Sequence, residues 1–206
     1  MSTVIIGFLV IFSSLTRATP GSDNMFLDKN ARFHPVISQL GMVVSQEAIA
    51  SQVGADILEA GGNAIDAAVA TGFALAVTLP RAGNIGGGGF MLVYLAEENK
   101  TIAIDYREMA PMAAKRDMFL DQQGNVDNEK ARYSAQSSGV PGTVAGLIHA
   151  LEKYGSMSLK EVLKPAINLA SQGFQVNYDL SDSLRLASKR LHKHPASKKY
   201  FYKFRC

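Results

Sequence analysis

Residues 64–77 read AIDAAVATGFALAV: fourteen residues with one charge, Asp66, and nothing larger than alanine at half of the positions. A helix that is apolar around its whole circumference cannot face water and has to be enclosed by other elements. Its small side chains, Gly72 among them, let neighbouring backbone come close, so the segment predicts a central helix with a sheet packed on it. The flanking residues agree. Gly61-Gly62 stops a preceding helix, Asn63 can cap this one, and Pro80 closes it. Asp66 falls in the first turn, where a carboxylate favours the helix dipole, and it reads as part of the cap rather than as an acid or base.

The rest of the chain supplies the layers. Gly41–Ser45, GMVVS, predicts a short buried strand. Gln46–Ala60 carries Ile49, Val53, Ile57 and Leu58 at helical spacing. Phe90–Leu95 and Thr101–Tyr106, joined by a turn over Glu97–Lys100, predict a β-hairpin. Helical patterns follow over 142–151 after Pro141, over 159–170 with Lys160 and Glu161 outward, and over 179–191. His149 lies inside the first of these and reads as a core histidine. The order strand, two helices, hairpin, helices predicts an α/β class in its α+β layered form, with helices on a largely antiparallel sheet.

With 47% hydrophobic residues and a mean hydropathy of +0.04, the 206 residues can build a sizeable core. The net charge of +3 is misleading. Seven of the 21 basic residues and none of the 18 acidic ones lie from Lys189 onward, which leaves 14 against 18 in the body. That balance argues against nucleic-acid binding. The single cysteine, Cys206, excludes an intramolecular disulfide and a cysteine metal site. The four histidines (His34, His149, His192, His194) are scattered, and His192 and His194 read as solvated. No metal or organic cofactor is implied. Val4–Leu15 is an apolar run shorter than the ~20 residues that span a bilayer, with Thr16 and Ala18 placed for cleavage after Ala18. Its n-region carries only the terminal amine. Residues 1–18 therefore read as an export signal, 19–40 as a linker, 41–190 as the folded body and 191–206 as a basic tail. The chain is expected in a bacterial periplasm or secreted, with no stable membrane span.

Between the central helix and the hairpin stands RAGNIGGGGFM, residues 81–91. Two roles compete for its glycines: cradling a phosphate, or passing backbone close to backbone. Phosphate fingerprints place their glycines before a helix and add a Lys in the P-loop case. Here the glycines open a strand and no Lys or Arg follows within the turn, so close backbone packing is favoured. At the far end of the hairpin comes Asp105-Tyr106-Arg107-Glu108-Met109-Ala110-Pro111. Arg107 could clamp a carboxylate or pair structurally with Asp105 or Glu108. The residues alone leave both open.

Three segments, EAGGNAIDAAVATGFALAVTLPRAGNIGGGGFMLV, AIDYREMAP and SGVPGTVAGL, resemble the γ-glutamyltranspeptidase (glutathione hydrolase) family in order and spacing. The resemblance covers roughly residues 41–190, the N-terminal part of the large subunit. It implies part of an N-terminal-nucleophile hydrolase αββα sandwich. It also implies a precursor that cuts itself into large and small subunits. The new N-terminal threonine of the small subunit then attacks the γ-glutamyl amide, its own α-amine being the usual candidate base. Glutathione and other γ-glutamyl compounds are the implied donors, and water, amino acids or peptides the acceptors. The small subunit is the implied protein partner. The arginine of the REMAP segment binds the glutamyl α-carboxylate in the family, and Arg107 stands there. No catalytic residue is assigned in this chain. Thr71, Thr78, Thr101 and Thr143 lie in the wrong segments, and Ser45, Ser137 and Ser138 lack recognisable partners. The chain alone is therefore expected to be inactive, and its end, KKYFYKFRC, reads as unlike a folded terminus. Two rival expectations are a secreted remnant with at most weak ligand binding and a fragment of a related β-lactam acylase.

Overall fold

The structure, a computed structural model, describes residues 37–83 and 85–202. The export signal, most of the linker, His34 and Cys206 lie outside the described residues. The elements are α1 (Ala48–Glu59), α2 (Ala64–Thr78), β1 (Phe90–Leu95), β2 (Lys100–Asp105), α3 (Asn128–Tyr133), α4 (Thr143–Tyr154), α5 (Leu159–Gln172), α6 (Tyr178–Leu191) and α7 (Pro195–Phe201). A 3₁₀ turn, Ala135–Ser137, lies between α3 and α4.

The apolar helix α2 is the centre. Ala67, Val69, Ala70, Phe73 and Ala74 are buried against Val53 and Ile57 of α1, Leu147 and Leu151 of α4, and Val162 and Ala166 of α5. Gly72 does permit a close approach, but to a helix. A Cβ there would lie 3.1 Å from a methyl of Leu147. The expected sheet contact at that position is thus replaced by α4.

The turn between α1 and α2 follows from its residues. Gly61 sits at φ +92°, a conformation that costs glycine little. Its N–H donates to the Leu58 carbonyl (3.0 Å), and that of Gly62 donates to Ile57 (2.9 Å), a Schellman closure. Asn63 then caps α2. Its Oδ1 accepts the N–H of Ile65 (2.8 Å) and Asp66 (3.0 Å), while Asp66 Oδ2 accepts the N–H of Asn63 (2.8 Å). This is a reciprocal capping box.

β1 and β2 pair antiparallel, from Phe90 opposite Asp105 to Leu95 opposite Lys100. One face sends Met91, Val93 and Leu95 to the core. The other leaves Phe90, Leu92 and Tyr94 at 65%, 75% and 62% exposure.

Three expectations are corrected. Residues 41–45 form no strand, and Met42 and Val44 are exposed. Only Val43 packs on the core, close to Gly54 of α1, because no neighbouring strand is present among the described residues to pair with the segment. His149 is exposed, since the buried stripe of α4 runs through Gly146, Leu147, Ala150 and Leu151. The basic end also folds as far as it is described. Residues 195–201 form α7, and the Tyr202 hydroxyl donates to the Leu184 carbonyl of α6. His192 is solvent-exposed, but its ring stands 4.3 Å from that of Tyr202 and Nδ1 lies 2.8 Å from the Ser188 carbonyl. No helix among the described residues is long and apolar enough to cross a membrane.

Candidate functional site

The hairpin ladder extends one residue beyond β2. Tyr106 N–H donates to the Gly89 carbonyl (3.1 Å) and Gly89 N–H to the Tyr106 carbonyl (3.4 Å). Three residues later a second antiparallel pairing begins. Met109 N–H donates to the Val140 carbonyl (3.2 Å), and Val140 N–H returns to Met109 (2.8 Å). Arg107 and Glu108 are therefore held between two backbone clamps. One is supplied by the glycine run and the other by the segment before α4.

The glycine run also begins α4. Gly142 is the N-cap residue and offers no side-chain cap. In its place the carbonyl of Gly87 accepts the N–H groups of Gly142 (2.8 Å) and Thr143 (3.0 Å). Those donors would otherwise be orphans of the helix end. The run, the hairpin and α4 are joined through main-chain atoms.

This geometry decides why glycines are needed. Gly88 and Gly89 do not adopt the left-handed backbone that favours glycine. What they provide is room. A Cβ at Gly88 would lie 2.5 Å from the Glu108 nitrogen, and one at Gly89 would lie 2.9 Å from the Tyr106 ring. On the other side, a Cβ at Gly142 would overlap the Tyr106 carbonyl, and one at Gly146 would overlap the Tyr106 ring. Tyr106 is thus collared by glycines from two segments more than fifty residues apart. Half-buried there, its phenol is pushed above its ordinary pKa by desolvation.

Arg107 is exposed at the end of this collar. Its backbone N–H donates to Asp105 Oδ1 (3.0 Å). Among the described residues its guanidinium makes no ion pair, so neither structural pair considered for it, with Asp105 or with Glu108, is formed. A fixed backbone carrying an unengaged guanidinium can receive a planar anion in bidentate fashion.

The arrangement contains no nucleophile–base pair and, among the described residues, no group of His, Cys, Asp or Glu able to hold a metal ion. Elsewhere, an open groove of about 590 Å³ between α3 and α6 is lined by Arg81, Lys189, Arg190, Lys193 and His194 with Glu129, and does not include Arg107. The run and Arg107 are legible in the sequence, whereas Tyr106, Gly142 and Gly146 carry no signal there beyond their place inside the matching segments.

The comparisons with known proteins concern these same segments. The sequence model of the family described as Gamma-glutamyltranspeptidase matches residues 50–205. The glutathione hydrolase proenzyme of Escherichia coli (strain K12) is 57% identical over 172 residues, covering 83% of this chain and 30% of that protein. The crystal structure of Helicobacter pylori gamma-glutamyltranspeptidase superposes with a TM-score of 0.79 at 47% identity, over 82% of this chain and 48% of that one. The gamma-glutamyltranspeptidase from Pseudomonas nitroreducens complexed with L-DON gives 0.75 at 42% identity, over 80% and 49%. The chain spans 30% of the Escherichia coli proenzyme and about half of each of these two solved chains.

Proposed function

The chain belongs to the gamma-glutamyltranspeptidase family, and from that premise we propose that it is the N-terminal portion of a large subunit that binds the γ-glutamyl donor through Arg107. The reaction is cleavage of the γ-glutamyl amide of glutathione and related compounds, with transfer of the glutamyl group to water, amino acids or peptides. The nucleophilic threonine and the oxyanion donors belong to polypeptide beyond the region matched here, and the small subunit that carries them is the obligatory partner. Residues 41–190 are the body of this portion. The apolar stretch Val4–Leu15 directs export, to a periplasm or outside the cell.

The single observation that carries the reading is the state of Arg107. Its backbone is held on both sides, yet its guanidinium has no partner among the described residues and lies in the open. A guanidinium free of ion pairs on a clamped backbone is available to an anion that is not part of this chain. The glutamyl α-carboxylate has the planar geometry that a guanidinium fork matches. Arg107 supplies binding and orientation, and its charge fixes which end of the bound donor lies against it.

The test is Arg107→Ala in a full-length precursor carrying this chain. KM for glutathione should rise roughly ten- to a hundredfold, since a charged hydrogen bond to a carboxylate is worth ~1.5–3 kcal/mol. An unchanged KM sinks the assignment.

A further inference from the structure

We infer that Tyr106 is a positioning residue for the donor site, acting through Arg107, its neighbour in the chain. The inference rests on the reading of Arg107 as the carboxylate clamp. Tyr106 is fixed by two independent devices. Its backbone is paired with Gly89 in both directions, at 3.1 and 3.4 Å. Its ring lies against Gly146 of α4 on one side and Gly89 on the other, where any side chain would displace it. The backbone pairing sets the height of residue 106 on the sheet. The ring, packed between Gly146 and Gly89, holds the side chain of residue 106 as firmly as its backbone.

The backbone of Arg107 is held on both sides, but its side chain has no such support of its own. Its side chain touches no charged partner among the described residues, and its one local tie is the backbone bond to Asp105. The direction in which its guanidinium leaves the chain is therefore set by its neighbours. Glu108 is less suited to that role, because its side chain is exposed, with Gly88 and Gly139 beside it and no ion pair among the described residues. The ring of Tyr106 is the rigid group closest in sequence to the clamp. Among the described residues its hydroxyl makes no hydrogen bond, so the ring, not the hydroxyl, carries the function.

The experiment uses a full-length precursor containing this chain, with steady-state kinetics on glutathione and on a donor analogue lacking the α-carboxylate. Tyr106→Ala should raise KM for glutathione about tenfold with kcat little changed, because misplacing a positioning group by an ångström can cost that much or more. It should leave the analogue's KM unmoved, and Tyr106→Phe should restore the parent value. In an Arg107→Ala background, Tyr106→Ala should add nothing further. If Tyr106→Ala does not yield processed protein, Tyr106→Leu is scored by the same criteria. An unmoved glutathione KM in the Tyr106 variant, while Arg107→Ala raises it, overturns the positioning role and leaves the clamp standing. An equal rise for both substrates also overturns it, since that marks general damage. If Arg107→Ala itself leaves KM unchanged, the clamp fails and the inference fails with it.

Discussion

The carboxylate of Asp66 accepts the backbone N–H of Ser156 at 2.9 Å and its hydroxyl at 2.6 Å, ninety residues away in the chain. The N–H of Met157 adds a third bond, at 3.1 Å, and Asn63 a fourth, at 2.8 Å. Asn63 Nδ2 donates to the Tyr154 carbonyl (2.8 Å), so the same capping box that begins α2 also closes the end of α4. Asp66 is fully buried. Replacing it with Ala leaves these donors unsatisfied in the interior. The expected loss is about 2–4 kcal/mol, from several orphaned donors at roughly 1 kcal/mol or more each. Asp66→Asn should recover little, because its amide would turn a donor toward other donors. Equilibrium urea unfolding of parent and variants measures both.

The same residue sets an acid limit. Burial alone would push the Asp66 carboxyl up. The bonds from Ser156, Asn63 and Met157 outweigh it and hold the carboxyl below its ordinary 3.8. A folded pKa below the unfolded one means that the unfolded chain binds more protons in that range. Stability is therefore complete above the ordinary value and is lost as the pH falls through the folded one. Unfolding free energy measured from pH 6 down to pH 2.5 should drop more steeply for the parent than for Asp66→Asn. Parallel curves would show that other carboxylates carry the acid sensitivity.

Gly72 and Gly146 both lie inside helices, where alanine is intrinsically favoured by about 1 kcal/mol. Their surroundings separate them. A methyl at Gly72 meets the end of the Leu147 side chain at 3.1 Å, which can yield. A methyl at Gly146 overlaps the root of the Tyr106 ring, where no rotamer change makes room. Overpacking of that kind costs roughly 1–3 kcal/mol and exceeds the propensity gain. Gly72→Ala should lie near neutral and Gly146→Ala should destabilise. Thermal unfolding midpoints of the two variants give the comparison, and equal midpoints would remove the steric argument.

How far the sequence could be read depends on how local each feature is. The Asn63–Asp66 box, the Gly61 stop and the burial of α2 all follow from residues within one turn or one helix, and each was legible. The partners of Asp66 at Ser156 and Met157 were not, because no periodicity links positions ninety apart. The collar around Tyr106 was half legible. Four consecutive glycines before a strand declared a close approach, but nothing local named Tyr106 or Gly146 as what approaches. Val43 and Val44 resemble a strand by composition. A strand also needs a neighbour, and composition cannot supply one. The apolar letters around His149 point to the core, whereas the stripe through Gly146, Leu147, Ala150 and Leu151 turns it outward.

Arg107→Lys distinguishes a clamp from a mere charge. Lysine keeps the positive charge and similar reach, but presents a compact ammonium in place of a planar fork. If the donor carboxylate is held by two parallel N–H···O bonds, lysine replaces two bonds with one. KM for glutathione should then rise several-fold, between the parent and Arg107→Ala, with kcat nearly unchanged because the reacting amide lies at the other end of the glutamyl group. If Arg107 contributes only long-range attraction, lysine should match the parent at low salt, and both should weaken alike as ionic strength rises. The rise should also vanish for a donor without the α-carboxylate, since the fork then has nothing to grip in either protein. Steady-state kinetics of the three proteins on the two donors, in a full-length precursor carrying this chain, separates these cases. A lysine variant indistinguishable from the parent on glutathione would show that the planar guanidinium is not used, whatever the charge contributes.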